Sequence, residues 1–271
     1  MVEGRNVNGY SVPSNDFSIL HAIAPEVPGT PTTTNSGTNI VIDWSAPTDN
    51  GSVITSYTIL ILQSDGLTYT EDSVNCDGLD STIILATQCT IPLSVLTSAP
   101  YSLSLTTSVQ AKVAATNVKN TSLLSSAGNG ATIITTPDAP ISLSENTAQR
   151  TASTLGLTWT EGNANGGSAI IDYRINYAEQ GETYSVLTST SSSSYQITGL
   201  TAGKTYEFKI EARNEYGYSI FSSTLSLLCA TIPAVPTSIA TTYSHGSTVK
   251  VTWSLPTTNG SPITAYKIFI K

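Results

Sequence analysis

Hydrophobic and polar residues alternate through most of this chain. The apolar positions of three such stretches are Leu155, Leu157 and Trp159; Tyr173, Ile175 and Tyr177; and Tyr206, Phe208, Ile210 and Ala212. Polar residues such as Asn176 and Glu211 stand between them. Because successive side chains of a strand point to opposite faces of a sheet, this alternation predicts strands with one buried face. Turn residues recur about every ten positions and no segment has sustained helical periodicity, so we expect an all-β chain of antiparallel two-sheet sandwiches.

One sequence pattern occurs three times along the chain. Each copy has a strand with a Trp, an Asn-Gly turn about six residues later, and a second strand with a Tyr near its start. The three Trp–Tyr pairs are Trp44 and Tyr57, Trp159 and Tyr173, and Trp253 and Tyr266. Successive Trp residues are about 115 and 94 positions apart, which is the length of a whole small domain rather than of a solenoid unit. The sequence therefore predicts tandem domains.

The boundaries of these domains are marked by proline. The first residues resemble the end of the second full repeat, since Asn6 aligns with Asn214 and Tyr10 with Tyr218. We therefore expect the C-terminal part of one domain at residues 1–24, complete domains at 25–136 and 137–232, and the N-terminal part of another at 233–271. A P-x-x-P junction opens each of the last three segments. Proline fixes φ, so these short linkers are semi-rigid and predict an extended rod.

Composition narrows the functions that the chain can have. Charged residues make up only 11% of the sequence, whereas Ser and Thr together number 79 of 271 residues, so hydroxyl groups solvate the surface. The formal net charge of −8 argues against nucleic acid or anionic membrane as a partner, because both attract basic surfaces. No apolar run of eighteen residues is present, so this segment is not expected to insert into a membrane.

The sequence offers no catalytic or metal-binding constellation. The two histidines, His21 and His245, belong to different predicted domains, and neither accompanies a nucleophile and a carboxylate. Asp43, Asp49 and Asp72 are single carboxylates without neighbouring metal ligands. We therefore expect no enzyme activity, no cofactor and no metal in this segment.

The strand pattern resembles that of the fibronectin type III domain. The features that carry the resemblance are the early-strand Trp, the Tyr that opens the third strand, and the segment from Leu200 to Tyr206 before the sixth strand. In that family the Leu and Tyr of this segment form a tyrosine corner, in which the Tyr hydroxyl ties a loop to the sheet. The resemblance extends over nearly the whole chain and is strongest in residues 137–232. It implies a sandwich fold but not one function.

The first complete domain departs from this family pattern. Val109 takes the place of the corner Tyr, and an insertion of about 20 residues containing Cys76 and Cys89 precedes it. This variant repeat resembles repeats in large surface proteins of single-celled eukaryotes. A Cys76–Cys89 bridge would replace the missing corner and would favour an oxidising compartment; the alternative is two reduced thiols in a cytosolic protein. Cys229 aligns with a last-strand position, where a buried free thiol is preferred over an intermolecular bridge.

Three sequons offer sites for glycosylation. They begin at Asn50, Asn120 and Asn259, and the first and third occupy the same turn of their repeats. Sequons also arise by chance in a Ser- and Thr-rich chain, and the Asn-Gly turn itself accounts for part of this recurrence.

These features favour a structural protein at the cell surface or outside the cell. We expect an extracellular filament or rod whose repeats join head to tail with further repeats or copies of the same chain and whose surface can carry glycans. A segment of an adhesin or receptor ectodomain that binds a protein or glycan is the alternative. A spacer of a secreted carbohydrate-active enzyme is a third interpretation.

Overall fold

The structure is a computed structural model that describes residues 1–16, 18, 21–244, 246 and 248–271. The chain divides into two compact units, Met1–Ile133 and Ile134–Lys271. The first unit begins with a short antiparallel pair, β1 (Arg5–Asn6) and β2 (Gly9–Tyr10). His245, for which no catalytic role is predicted, lies outside the described residues.

Two three-stranded antiparallel sheets form the body of the first unit. The strands of the first sheet are β3 (Thr32–Ser36), β4 (Asn39–Asp43) and β7 (Gln88–Pro92), in the order β3-β4-β7. Those of the second are β5 (Ile54–Leu62), β6 (Tyr69–Glu71) and β8 (Ala111–Asn117), in the order β6-β5-β8. The two sheets bury alternate residues, among them Ile40, Ile42, Ile59, Ile61 and Val113. This burial follows the period-two pattern of the sequence.

Two short helices lie in the inserted part of the first unit. Helix α1 (Ser81–Ala86) is preceded by Asp80, whose side chain accepts a hydrogen bond from the backbone N–H of Thr82 and so caps the helix. Helix α2 (Leu93–Leu96) directly follows β7 and buries Leu93 and Leu96. The periodicity of the sequence did not reveal either helix, because each is under two turns long.

The second unit contains a sandwich of a three-stranded and a four-stranded sheet. The first sheet has the order β13-β10-β9, from β9 (Ile141–Glu145), β10 (Leu155–Thr160) and β13 (Ser194–Ile197), with a 3₁₀ turn at Thr147–Gln149. The second has the order β12-β11-β14-β15, from β11 (Asp172–Glu179), β12 (Ser185–Thr190), β14 (Thr205–Arg213) and β15 (Leu225–Leu228). Leu155, Leu157, Ile175, Phe208 and Ile210 are fully buried between them. The all-β prediction is confirmed.

Strand register places two copies of the sequence pattern equivalently, and the contact between the Trp and Tyr rings recurs in all three copies. Tyr57 pairs with Ala115 in the first unit as Tyr173 pairs with Ala212 in the second. The Trp ring meets the Tyr ring with centroids 5.1 Å apart for Trp44–Tyr57 and 5.6 Å for Trp159–Tyr173. The Trp253 and Tyr266 ring centroids are 5.0 Å apart beside a third hairpin, β16 (Thr237–Ser244) and β17 (Thr248–Ser254). The prediction of a strand that begins near Tyr266 is wrong, because residues 262–271 form no strand.

Two polar residues of the second unit depart from the simple alternation. Asn176 and Glu211 fall at positions that the period-two pattern assigns to the face away from the core, yet both are buried. The Asn176 amide donates to Glu211 Oε2 at 3.0 Å, and the Arg174 guanidinium donates to the same atom at 2.8 Å. A register shift in the pairing of β11 with β12 lies between Ile175 and Asn176. Because Asn176 and Glu211 are hydrogen-bonded to each other, and Glu211 also to Arg174, both polar side chains can be buried on this face.

Candidate functional site

The turn that follows the Trp strand binds the segment of chain leading into the same repeat. Two backbone N–H groups three residues apart in the incoming segment donate to two carbonyl oxygens two residues apart in the turn. The donor–acceptor pairs are Ile23–Asn50 and Glu26–Thr48 (3.3 and 2.9 Å), Thr135–Gly166 and Asp138–Ala164 (both 2.8 Å), and Thr231–Asn259 and Ala234–Thr257 (3.0 and 2.9 Å). We call each set the junction site of its repeat. This threefold recurrence makes the junction site the candidate functional feature of the chain.

A buried asparagine completes the junction site in the two full repeats. Asn214 Nδ2 donates to the carbonyl oxygens of Thr135 at 2.7 Å and Asn165 at 2.8 Å, while its Oδ1 accepts from Tyr216 and Gly217. The corresponding carboxamide in the first unit is that of Asn117, whose partners are Ile23, Asp49, Ser52, Lys119 and Asn120. One side chain thus ties the incoming segment to two loops.

The role of these two asparagines is not among the features predicted from the sequence. Asn6 aligns with Asn214, but the alignment alone assigns no role to the position. The available signal was the recurrence of Asn three residues before a Gly in Asn6–Gly9 and Asn214–Gly217. A recurrent Asn at the end of a strand indicates a carboxamide that bonds backbone groups, because it offers both a donor and an acceptor.

The structure corrects the alignment of the Asn-Gly turn in the middle repeat. Asn50–Gly51 have φ of 53° and 89°, and Asn259–Gly260 have 51° and 93°. In the middle repeat the two positive values, 71° and 82°, belong to Gly166 and Gly167 rather than to Asn165. Gly and Asn are the residues that tolerate this left-handed region best. The middle turn therefore has Gly166 where the other repeats have Asn50 and Asn259.

The three sequons differ in what the asparagine side chain does. Asn50 Nδ2 donates to the carbonyl oxygen of Ala24 at 2.8 Å, and Asn259 Nδ2 donates to that of Ile232 at 2.8 Å. Both side chains therefore belong to junction sites and are half-buried. Asn120 is exposed, and only its Oδ1 is bonded, to the backbone N–H of Thr121 at 2.9 Å.

The cysteines form one disulfide and one free thiol. Cys76 and Cys89 are bonded, with their Cα atoms 5.3 Å apart, which is the pairing expected from the sequence. Cys89 lies on β7, whereas Cys76 lies in the insertion after β6, so the bond connects segments associated with different sheets. Cys229 is buried and free, and its Sγ donates to the carbonyl oxygen of Ala152 at 3.3 Å. Burial raises the pKa of the Cys229 thiol, although nearby Arg150 acts in the opposite direction.

A tyrosine corner is present in the second unit and is replaced in the first. The hydroxyl oxygen of Tyr206 accepts from the backbone N–H of Thr201 at 3.1 Å. Val109, fully buried, stands at the equivalent position of the first unit. There Tyr101, from the loop after α2, fills the core instead, and its hydroxyl has no hydrogen-bond partner among the described residues. Burial, together with the negative charges of Asp72 and Glu71, raises the pKa of Tyr101 to about 12.

The outer face of β11 and β14 carries paired charges and aromatic rings. The Arg174 guanidinium lies 3.8 Å from the ring centroid of Tyr218 while it bonds Glu211. This hydrogen bond to Glu211 raises the pKa of Arg174. Lys209 lies 4.2 Å from the Tyr184 centroid, and Lys112 of the first unit lies 4.3 Å from that of Tyr69. In each contact a cationic side chain lies over a Tyr ring, and the contact packs side chains of this outer face against one another.

Neither a metal site nor a membrane-crossing element is found in the part of the chain that the structure describes. Within these residues no three His, Cys, Asp or Glu side chains converge as ligands. None of the described helices has the length and apolar character of a membrane span. His21 is exposed.

Comparison with known proteins agrees with the fold. Residues 139–227 match the family model of the fibronectin type III domain. Exoglucanase B of Cellulomonas fimi is 28% identical over 235 residues, covering 83% of this chain and 18% of that protein. The Kelch domain-containing protein SSO1033 of Saccharolobus solfataricus is 35% identical over 79 residues, covering 29% of this chain and 11% of that protein. The chain thus spans less than a fifth of these curated relatives.

Solved structures with several domains are also similar. The crystal structure of chicken CNTN1 FN1–FN3 domains has a TM-score of 0.47 and 16% identity, covering 76% of this chain and 68% of that one. Domains A168–A170 of titin have a TM-score of 0.46 and 15% identity, covering 77% and 61%. The family match over residues 139–227 coincides with the sandwich that contains the tyrosine corner. Residues 139–227 therefore form a fibronectin type III domain, and the pairing of the strand-opening Tyr with an Ala of the neighbouring strand recurs in the first unit.

Proposed function

We propose that this chain is a structural component of an extracellular filament or surface rod, in which tandem β-sandwich repeats join head to tail. The observation that carries the proposal is the junction site, which binds the incoming segment of all three repeats with the same pair of backbone hydrogen bonds. A segment held at two points is not a flexible tether, since its φ and ψ angles are fixed by the turn that it contacts.

The junction between the second and third repeats illustrates how short the unbound linker is. The N–H of Cys229 donates to the carbonyl oxygen of Lys204 in the preceding repeat at 2.9 Å. Two residues later, Thr231 donates to Asn259 of the following repeat. Only Ala230, which is 4% exposed, lies between these two bonds. A chain of repeats with such linkers is suited to bearing load along its axis.

Further features support an extracellular location and assembly. The Cys76–Cys89 disulfide favours an oxidising compartment, and a hydroxyl-rich, weakly charged surface tolerates close packing of neighbours. Residues 233–271 present an apolar cleft of about 560 Å³ that includes Trp253, Ile268 and Phe269. Phe269 is 80% exposed in this cleft. In the proposed assembly, further repeats of the chain or another copy cover this face.

Electron microscopy of the native material tests the filament. We expect regular fibres whose axial repeat equals one or two domain lengths. Hydrogen exchange of the same material reports on the joints, because residues 1–24 and 233–271 should be protected there and not in dispersed protein. Dispersed particles in which both segments are solvated would contradict the proposal. That outcome favours the adhesin or receptor ectodomain instead.

A spacer in a secreted carbohydrate-active enzyme is the second candidate function. The observation that favours it is the match to Exoglucanase B, which extends over 83% of this chain but only 18% of that protein. A fibronectin type III domain is a non-catalytic module, so the chain would set the distance between other domains. Mass spectrometry of the native polypeptide distinguishes the two, because a spacer would occur in one chain with a catalytic domain.

A further inference from the structure

The fold by itself accounts for two of the three sequon asparagines. Asn50 and Asn259 occupy a turn position with positive φ, and each donates its amide to the incoming segment. The middle repeat has Gly166 at this position and no sequon there. A residue that fits the left-handed region is therefore what the turn requires, and Asn is one of the two usual choices.

The fold does not account for Asn120 in the same way. It lies three residues after Asn117, where the other repeats have Gly217 after Asn214 and Gly9 after Asn6. Its Nδ2 has no hydrogen-bond partner among the described residues, and the side chain is exposed. No structural requirement for an asparagine amide is therefore present at position 120.

The other half of this sequon is structural. The Ser122 hydroxyl accepts from the N–H of Ala115 at 3.0 Å and donates to the carbonyl oxygen of Leu123 at 2.9 Å. Ser219 makes the same two bonds to Ala212 and Ile220 in the second unit. Asn120 is thus the part of its sequon that distinguishes the first full repeat.

We propose that Asn120 is the N-glycan attachment site of this chain and that the amides of Asn50 and Asn259 are committed to the junction sites. The assignment rests on the extracellular location in the proposed function. Attachment forms a bond between Nδ2 and the anomeric carbon of a lipid-linked sugar pyrophosphate, breaks the bond from that carbon to the pyrophosphate oxygen, and releases the lipid pyrophosphate and one proton of Nδ2. At Asn50 both hydrogens are used, because Nδ2 also contacts Glu26 Oε1 at 3.3 Å. At Asn120 neither hydrogen has a partner among the described residues, and the glycan would lie next to the exposed side chains of Val118 and Leu123.

The test uses the full 271-residue chain, secreted from a eukaryotic cell that N-glycosylates. Glycopeptide mass spectrometry with and without peptide N-glycosidase gives the occupancy of each site. We expect secreted protein in which most chains carry a glycan at Asn120 and fewer than about a tenth carry one at Asn50 or Asn259, a difference of at least about fivefold. Asn120→Gly should abolish the glycan mass and leave the thermal midpoint unchanged, since the other repeats have Gly there.

Two matched variants remove the remaining sequons and keep their asparagines. Ser52→Ala and Ser261→Ala should leave the glycan mass unchanged, because the sequons that they remove are the ones expected to be unoccupied. Neither hydroxyl has a hydrogen bond among the described residues, so the two turns should keep their structure. Secreted, disulfide-bonded protein without a glycan at Asn120 would overturn the assignment, as would equal occupancy of Asn50 or Asn259. Either result leaves the filament proposal standing, because fibres are detected separately by electron microscopy.

Discussion

Gly260 lies against the backbone of Gly203, directly over the hydrogen bond that Gly203 donates to the carbonyl oxygen of Cys229. A Cβ on Gly260 would be 2.7 Å from the Gly203 nitrogen and 2.6 Å from the Cys229 oxygen. The turn of the third repeat and a loop of the second are therefore too close for a side chain at position 260. This contact depends on the absence of a side chain.

We expect Gly260→Ala to open the junction between these two repeats. Alanine would be strained by the φ of +93° and would also overlap Cys229 and Gly203. The backbone N–H groups of Thr231 and Ala234, which bond the turn, should exchange with deuterium at least about tenfold faster, corresponding to about 1.4 kcal/mol.

Gly181→Ala is the matched control for this variant. Gly181 has a similar φ of +89°, but a Cβ there would meet no atom within 4 Å. Strain from φ is therefore common to both variants, and only Gly260→Ala adds the overlap. Equal exchange at Thr231 in the two variants would show that the contact does not hold the junction.

Asn214→Ala should destabilise the second unit by about 2–3 kcal/mol, because it removes the four hydrogen bonds that this buried carboxamide makes with the backbone. Thermal or denaturant unfolding of the full chain measures this loss. Asn163→Ala is the control, since Asn163 is exposed and is expected to change stability by under about 0.5 kcal/mol. If Asn214→Ala lowers the free energy of unfolding no more than Asn163→Ala does, the buried carboxamide does not stabilise the junction.

The sandwich fold could be predicted from the sequence alone because each strand of the fold alternates buried and exposed residues. Alternation identified β10, β11 and β14, and the early Trp and strand-opening Tyr identified equivalent places in the three repeats. Leu200 and Tyr206 identified the tyrosine corner because their spacing is local. Each of these signals lies within a few residues of the feature that it predicts.

The junction site could not be predicted from the sequence because it depends on contacts between residues that are far apart in the chain. Asn214 bonds Thr135, which is 79 positions away in the chain, and the sequence contains no mark of that distance. In the middle turn the left-handed position is Gly166 rather than Asn165, because this turn has one extra residue. The sequence conceals the extra residue, since an Asn-Gly pair stands at the same distance from the Trp in all three repeats. Burial of Glu211 likewise depends on Arg174 from another strand.

Removing the disulfide should weaken the first unit selectively. The bond closes a separation of 13 residues, for which loss of chain entropy in the unfolded state gives about 3 kcal/mol. The double variant Cys76→Ala and Cys89→Ala should therefore lower the unfolding midpoint of residues 1–133 and leave that of residues 134–271 unchanged. Calorimetry of the full chain resolves the two transitions.

Thiol counting provides the control for this variant. In native protein a thiol reagent should detect no accessible cysteine, because Cys229 is buried and its raised pKa disfavours the reactive thiolate. Unfolding without reductant should release one thiol, and unfolding with reductant three. Two or more thiols in unreduced, unfolded protein would contradict the Cys76–Cys89 bond.

Tyr101 should make the first unit sensitive to high pH. Its pKa is about 12 in the folded protein and about 10 in the unfolded chain. Because the folded state holds the proton more tightly, the contribution of Tyr101 to stability is fully present below pH 10 and is lost as the pH rises through 12. The full loss is about 2–3 kcal/mol. Denaturant unfolding between pH 8 and pH 12, at about half-unit steps, measures this slope.

Tyr101→Phe separates this titration from the packing of the ring. The buried hydroxyl has no partner among the described residues, so its removal should leave stability at pH 7 unchanged or raise it by up to about 1 kcal/mol. The alkaline loss should shrink in this variant because the buried phenol is gone. Tyr243→Phe, which changes a tyrosine that is 81% exposed, should keep the slope of the native chain. A Tyr101→Phe protein that is less stable at pH 7 and equally sensitive to alkali would mean that the hydroxyl is bonded and titrates normally.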